Sequence, residues 1–329
     1  MSTILNHADA SIRIDESNGK NSISIQPRDG LFVPTTRWLT AYPVELIEHV
    51  LRVKGPAYLC DEIMRDEAPH YVQRSFHWDI LSYAKQEDFA GRRILDFGSG
   101  SGASSMVLTR LFPETEIVGV ELESEFVELA KHRARFYGVE RSVSFELSPD
   151  PNSLPLEIGD FDYIVFSAVF EHLLPSERNV VLPLLWSHLK PGGIMFLDQT
   201  PYRWFPVELH TTGLPLINYL PDRLALSCSR RFSERVSADV TWSELLRKGI
   251  RGGTPREIMR ILRREGREAE LLDPSRLGVK DRIDLWYQLS SSTRKPLMKR
   301  LAMWGLRAVR AVTGVTVTPS LSLAIRKVR

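Results

Sequence analysis

Cysteine is scarce. Cys60 and Cys228 are the only two in 329 residues, far apart in the chain, which excludes a disulfide framework and a cysteine-built zinc site. Long apolar runs are lacking as well. The longest stretch without a charged residue, Ala311 to Ile325, is too short for a bilayer span of about 20 residues and carries Gly, Pro, Ser and Thr. The first twenty residues, MSTILNHADASIRIDESNGK, show neither the basic start nor the apolar core of a secretory signal. These absences lead to the expectation of a soluble, cytoplasmic protein. With 43% hydrophobic and 26% charged residues the chain is neither disordered nor collagen-like.

A net charge of +2 conceals an uneven distribution. Residues 221–329 carry 24 Lys/Arg against 11 Asp/Glu, which is +13, and the preceding 220 residues balance them at −11. Such asymmetry points to an anionic contact for the C-terminal part, or to packing against the acidic part.

Residues 1–30 are polar without clear periodicity and read as an arm or weak strands. From Tyr42 to about Phe89 the pattern is helical: the apolar residues of VELIEHVLRV recur at three- and four-residue steps, with breaks at Gly55-Pro56 and Pro69. At Arg92 the character changes. RRILDF is a short apolar strand entering a glycine turn. EIVGVE, VSFELS, FDYIVFSAVF and GGIMFLDQ follow as strands, separated by ASSMVLTRLF, SEFVELAKHRARFYG and SERNVVLPLLWSHLK as helices. The alternation implies an α/β fold, a parallel sheet with helices on both faces. Pro183 is awkward within its helix and is expected in the first turns or at a kink. Residues 200–253 are irregular and rich in aromatics and proline. A helix capped by Thr254-Pro255 then follows, then EAELLD as a sixth strand, a basic helical stretch over about 281–312, and SLSLAIRKV as a last strand. The expected divisions are an N-terminal arm and helical extension (1–89), a nucleotide-binding core (90–200), a substrate-binding insertion (201–253) and a C-terminal part with a basic helical insertion (254–329).

The chemistry gathers at the glycine turn. Gly98, Gly100 and Gly102 stand where a strand meets a helix, a place where glycine allows a sharp turn and close ligand approach. GSGSGA also fits a dinucleotide fingerprint. Asp96, two residues earlier, would repel a pyrophosphate at that helix N-terminus and suits an amino or sulfonium cation. Glu121, about twenty residues on, is placed to accept hydrogen bonds from two ribose hydroxyls, and Asp150 can meet the amino edge of an adenine. A cationic nucleoside without phosphate satisfies all three positions, and S-adenosylmethionine (SAM) is such a molecule.

Over about residues 90–200 the sequence resembles the class I SAM-dependent methyltransferases. LDFGSGSG resembles their glycine loop, VGVELE their ribose-binding strand end, FELSPDPNSLP their adenine motif, and FDYIVFSAVFEHL and LKPGGIMFLDQ their fourth and fifth strand signatures. The resemblance implies a Rossmann-like, mostly parallel sheet of seven strands whose last strand, SLSLAIRKV here, is antiparallel. It further implies insertions after the fifth and sixth strands. The SAM contacts it implies are Asp96, Gly98, Ser99, Gly100, Gly102, Glu121, Leu122, Asp150 and Ser167. Glu171-His172 follows the fourth strand. Related methyltransferases of ubiquinone biosynthesis and of small RNAs have another Glu three residues earlier and bind a divalent metal. Here Ala168 stands there, so no metal site is expected.

A methyltransferase needs a base only where its acceptor must lose a proton. Glu171, His172, Glu208 and His210 are the candidates, with His210 preferred, supported by Glu208, and His172 as the alternative. Tyr202, Arg203, Trp204, Glu208, His210 and Tyr219 combine aromatic faces and polar tips as a substrate pocket does; they could equally form a small core. The basic helix from Arg294 interleaves Leu297, Leu301, Trp304 and Val309 with Lys299, Arg300, Arg307 and Arg310, which suits an anionic membrane surface or an apolar face packed on the sheet. Nucleic acid is disfavoured as a partner, because SAVF replaces the Asn-Pro-Pro-Tyr-type signature of base methylation. The expected activity is methylation, at oxygen, of a small molecule or a lipid- or sugar-linked intermediate. The alternatives are an RNA methyltransferase, a SAM-binding protein without catalysis, and an NAD-dependent oxidoreductase.

Overall fold

The computed structural model of the protein describes residues 2–28, 30–290 and 296–329. Of the two readings of the N-terminal segment, an arm or weak strands, the structure has strands. Strands β1 (Ser2–His7), β2 (Ala10–Ser17), β3 (Lys20–Pro27) and β4 (Arg37–Thr40) form an antiparallel meander in that order. Asn18-Gly19, both at positive φ, close the β2–β3 hairpin between the paired Ser17 and Lys20, the two-residue turn that matches strand twist. Ile12 faces Ile25 and Ile14 faces Ile23 across the ladder, and all four are buried. Their period of two is the strand signal in an otherwise polar segment.

Helices α1 (Val44–Lys54) and α2 (Leu59–Glu67) follow. Leu46, Ile47, Val50 and Ile63 pack on the isoleucines of that sheet. Helix α3 (Arg74–Leu81) leads to β5 (Arg93–Phe97), α4 (Ala103–Leu111), β6 (Glu116–Glu121), α5 (Ser124–Tyr137) and β7 (Val143–Leu147). Then come β8 (Phe161–Ser167), α6 (Pro175–Ser187) and β9 (Leu189–Pro201). Pro183 lies in the interior of α6, beyond its first turns, and the helix continues to Ser187. After β9 the insertion folds as α7 (Asp222–Phe232) and α8 (Trp242–Arg247). The chain ends with α9 (Pro255–Leu262), β10 (Ala269–Leu272), α10 (Arg282–Leu289), α11 (Pro296–Thr313) and β11 (Ser320–Lys327). Arg294, the expected start of the basic helix, lies outside the described residues.

Two compact units emerge, one of residues 1–76, 89–91 and 99–148, the other of residues 77–88, 92–98 and 149–329. In the first, β6 and β7 pair in parallel. In the second, β5, β8 and β9 are parallel, while β11 is antiparallel to both β9 and β10. The strand order is β10-β11-β9-β8-β5-β6-β7, a mostly parallel sheet of seven whose last strand is antiparallel. Among the described residues no helix is long and apolar enough to cross a membrane.

Candidate functional site

In the first unit, each glycine of the turn has its own reason. Gly100 (φ +55) and Gly102 (φ +84) are left-handed, as is Gly98 (φ +72) in the second unit. A Cβ on Gly102 would stand 2.7 Å from the Cβ of Ala130 on α5, so the turn could not seat against that helix. A Cβ on Gly98 would meet a methyl of Val169 at 2.5 Å. Gly100 faces open space. There the missing side chain leaves the backbone accessible rather than relieving a clash.

Glu121 ends β6. Its carboxylate accepts the N–H of Gly100 at 2.8 Å on one oxygen and the N–H groups of Leu122 (2.7 Å) and Glu123 (3.3 Å) on the other. The acid is thus locked to the glycine loop by backbone donors, and its first oxygen keeps a lone pair for a further donor. Leu122, next along, is 45% exposed and presents an apolar surface beside that carboxylate. Ser99 is buried and donates its N–H to the Val120 carbonyl at 3.1 Å.

Sequence reasoning missed what supports this loop. Arg133 of α5 is wholly buried and donates to Glu62 Oε1 (3.0 Å), Ser101 O (2.9 Å) and Ser101 Oγ (2.7 Å). Ser101 Oγ also donates to Glu62. A helix of the N-terminal extension, α2, thereby holds a residue of the glycine turn. Burial pushes the Glu62 carboxyl up, but Arg133 and then Lys54 more than offset it and leave it below its ordinary value.

In the second unit, buried acids collect at strand ends. Asp96 closes β5 and is 2% exposed; Asp198 lies near the end of β9 at 1%; Glu171 is at 0%. Among the described residues, neither Asp198 carboxylate oxygen nor Glu171 Oε1 has a well-formed hydrogen bond, and Ser167 gives Asp198 only a weak, opposing stabilisation. Burial, then repulsion from Asp79, hold the Asp198 carboxyl well above its usual range, and Glu171 and Asp96 add to the effect. Buried acceptors left open this way call for a cation or a proton. The sulfonium and ammonium groups of SAM fit that requirement, and a diphosphate does not. The two strands end under constraint, since Ala168 after β8 and Gln199 in β9 both hold left-handed φ (+53 and +59). Ser167 accepts from Gln199 Nε2 at 3.2 Å. Asp150 is at the surface, and its carboxylate closes its own turn by accepting from Asn152 N (2.7 Å) and Ser153 Oγ (2.6 Å), the bonds that hold its pKa low.

Asp198 gives a stability test. An acid whose folded pKa is raised costs stability as pH climbs above its unfolded value near 3.8. Asp198→Asn is therefore expected to be more stable than the parent at pH 8, by about 1–3 kcal/mol, with the gap closing toward pH 4. Thermal melts across that range check it, and a gap that widens in acid refutes it.

Beyond β9 the insertion brings Glu171, His172 and His210 together. One ligand atom from each lies within 4.8 Å of the others, a set that could hold a metal ion. The rings of His172 and His210 are 5.6 Å apart. His172 Nδ1 donates to the Arg247 carbonyl at 2.6 Å, leaving Nε2 open, 3.8 Å from Glu171 Oε1. Thr200 Oγ1 fixes the other Glu171 oxygen at 2.9 Å. Gly249 permits the approach, because a Cβ there would stand 2.8 Å from the His210 ring.

Glu208 differs from expectation. Its buried carboxylate accepts from the backbone N–H of His210 (2.9 Å) and Thr211 (2.8 Å) and from Thr212 Oγ1 (2.8 Å). It holds the turn that carries His210 through the backbone, and the carboxylate beside the imidazole is that of Glu171. The expected pocket residues are also divided. Glu208 and His210 line a cavity of about 250 Å³, together with Tyr202 and Phe205. Tyr202, Trp204 and Tyr219 line another of about 540 Å³ with Arg256 and Arg282. Arg203 lies over the Trp204 ring, and burial followed by Arg251 bring its guanidinium down to about 10. The insertion's own core is mainly aliphatic, built on Ile217, Ala225, Val240, Leu245 and Ile250, so Trp204 and Tyr219 remain at the surface.

Comparison with known proteins matches residues 94–193 to the methyltransferase domain family. A ubiquinone/menaquinone biosynthesis C-methyltransferase of Desulfotalea psychrophila is 27% identical over 125 residues, 38% of this chain and 48% of that protein. A fatty-acid O-methyltransferase of Mycolicibacterium smegmatis is 29% identical over 137 residues, 41% and 46% of the two chains. The chain spans about half the length of the curated relatives it matches. Among solved structures, the [4+2]-cyclase SpnF aligns with a TM-score of 0.43 and 18% identity, covering 78% of this chain and 81% of that one. Residues 94–193 are a methyltransferase domain of the class I, SAM-dependent kind. SAM is the cofactor of that domain.

Proposed function

We propose that the protein transfers the methyl group of SAM to an oxygen of a small molecule or of a lipid- or sugar-linked intermediate. The observation that carries this reading is the Glu121 carboxylate anchored on the glycine loop of a methyltransferase domain. SAM, when bound, supplies an electrophilic methyl carbon. The residues proposed to hold it are Asp96, Gly98, Ser99, Gly100, Gly102, Glu121, Leu122, Asp150 and Ser167. Glu121 accepts from the ribose hydroxyls, and Asp96 faces the amino acid's cationic end. By their names the curated relatives include a C-methyltransferase of ubiquinone/menaquinone biosynthesis, a fatty-acid O-methyltransferase and a malonyl-[acyl-carrier protein] O-methyltransferase, which supports an apolar or carrier-linked acceptor.

His210 is proposed to take the acceptor's proton, with Glu208 holding its turn in place. His172, whose Nε2 is open, is the alternative. A positioned base contributes about 10²–10⁴-fold, so His210→Ala is expected to lower kcat about a hundredfold or more while SAM affinity stays unchanged. Turnover equal to the parent's across the pH range would remove His210 from the chemistry.

The RNA alternative is disfavoured because SAVF stands at the end of the fourth strand, where base methylation has an Asn-Pro-Pro-Tyr-type signature. The direct test is mass spectrometry of a metabolite extract incubated with the protein and methyl-deuterated SAM. A labelled product names the acceptor. SAM binding without any labelled product would favour the non-catalytic reading.

A further inference from the structure

Helix α11 carries its apolar residues on the outside. No residue of this 18-residue helix is buried. At about 100° per residue, Leu297, Leu301, Trp304, Ala308 and Val312 recur at three- and four-residue steps and so share one stripe. Leu297 is 69% exposed, Leu301 57%, Trp304 68% and Val312 87%. The charged side chains turn the other way or stand at the border. Lys299 lies over the Tyr287 ring of α10 at 4.1 Å, Arg307 pairs with Asp284, and Arg310 pairs with Asp281 at 2.6 Å. The sequence left open an anionic membrane surface or an apolar face packed on the sheet; of these the packed face is not found, because the polar face is docked on α10 and the apolar face looks outward. The reason is local: Asp281 and Asp284, at the N-terminus of α10, draw the arginines inward.

We propose that this stripe seats α11 in the plane of an anionic lipid bilayer. An interfacial helix buries an apolar face bearing Trp and Leu and keeps cations at the headgroup level. Here α11 contains no acidic residue, Arg300 is exposed at the border of the stripe, and the C-terminal part as a whole is +13. That charge complements anionic headgroups. A second copy of the chain would instead set two such basic regions against each other without an acid on the helix to compensate. It would also need about 800 Å² from each partner over about 20–30 residues, more than a single helical stripe provides.

The cavity of about 540 Å³ adds direction. Val309 and Thr313 at the C-terminal end of α11 line it, together with Arg256, Arg282, Trp204 and Tyr219. Aromatic surface with two arginines, one of them (Arg282) also paired with Asp273, suits an amphipathic acceptor with an anionic head. This part rests on the methyl-transfer reading, and it makes the acceptor a membrane-resident lipid with a phosphate or carboxylate.

Vesicle flotation decides. Vesicles of phosphatidylcholine and phosphatidylglycerol in equal parts should carry the protein upward at low salt, less so at high salt, and vesicles of phosphatidylcholine alone should carry little. The paired substitution Leu301→Asp and Trp304→Asp should lower partitioning about tenfold or more, and Arg300→Glu should lower it in a milder, salt-dependent way. SAM calorimetry on each variant verifies the fold and tests the methyltransferase reading separately, since flotation registers lipid contact with or without catalysis. The proposal is overturned if the protein stays with the buffer at low salt, if both variants float like the parent, or if ultracentrifugation shows a lipid-free dimer that the paired substitution dissolves.

Discussion

Replacing Glu121 with alanine should weaken SAM binding by roughly 10²–10⁴-fold, read by calorimetry with SAM and with its demethylated product. The magnitude follows from two hydrogen bonds to a charged acceptor at about 1.5–3 kcal/mol each, with every 1.4 kcal/mol worth about tenfold. Part of the loss would come through the loop itself, because the Gly100 N–H loses its 2.8 Å partner. Glu121→Gln keeps one acceptor oxygen and should fall between the two, near tenfold to a hundredfold. An alanine variant that is folded and binds SAM like the parent would take Glu121 out of the cofactor site and, with it, the main support for the functional reading.

Arg133→Leu is expected to be the most damaging single change to stability. It strands Glu62 beside Ser101 and leaves Asp66 without the guanidinium that offsets its burial. Breaking a buried pair on one side costs about 3–5 kcal/mol, a large part of the roughly 5–15 kcal/mol that holds a protein folded. Urea unfolding should show a lower midpoint with an unchanged slope. Removing both charges, Glu62→Leu with Arg133→Leu, should recover much of the loss, since no charge then remains in the gap. Acid has a smaller effect of the same kind. The Glu62 pKa is depressed on folding, so its contribution is present above the unfolded value near 4.5 and is lost as pH falls through the lower folded one. If the double variant proves no more stable than the single one, the pairing account fails.

The glycine turn was legible because strand, turn, helix and flanking acid lie within a dozen residues and each leaves a residue-type signature, whereas the distant residues that seat it, Ala130, Val169 and Arg133, left none. The closing strand was legible in its own pattern, and its antiparallel sense through the resemblance alone. The N-terminal sheet was obscured because its core face holds few residues, Ile12, Ile14, Ile23 and Ile25, set among serines and charges. Asn18-Gly19 was the available signal for it. At the site, Glu208 and His210 read as partners because they are two residues apart, yet a turn of that length directs the carboxylate to backbone donors. Glu171 reaches His210 only through tertiary folding, and nothing in the sequence measures that distance. Asp198 has no signature of its own within the strand GGIMFLDQ, and its burden comes from burial and then from Asp79, which approaches from α3. The same limit applies to α11: periodicity shows that a helix has two faces, but the pairing of Arg307 and Arg310 with α10 decides which one meets solvent.

The left-handed backbone at Ala168 bears on how this chain differs from its metal-binding cousins. Glutamate occupies the matching place in those proteins. Alanine already carries the Cβ that such a bend strains, so glutamate would add no new backbone cost; what it would add is a carboxylate next to Asp198, whose carbonyl accepts the Ala168 N–H, in a region already crowded with negative charge. The obstacle to a glutamate here is electrostatic rather than steric, and the bend itself is cheapest for glycine or asparagine.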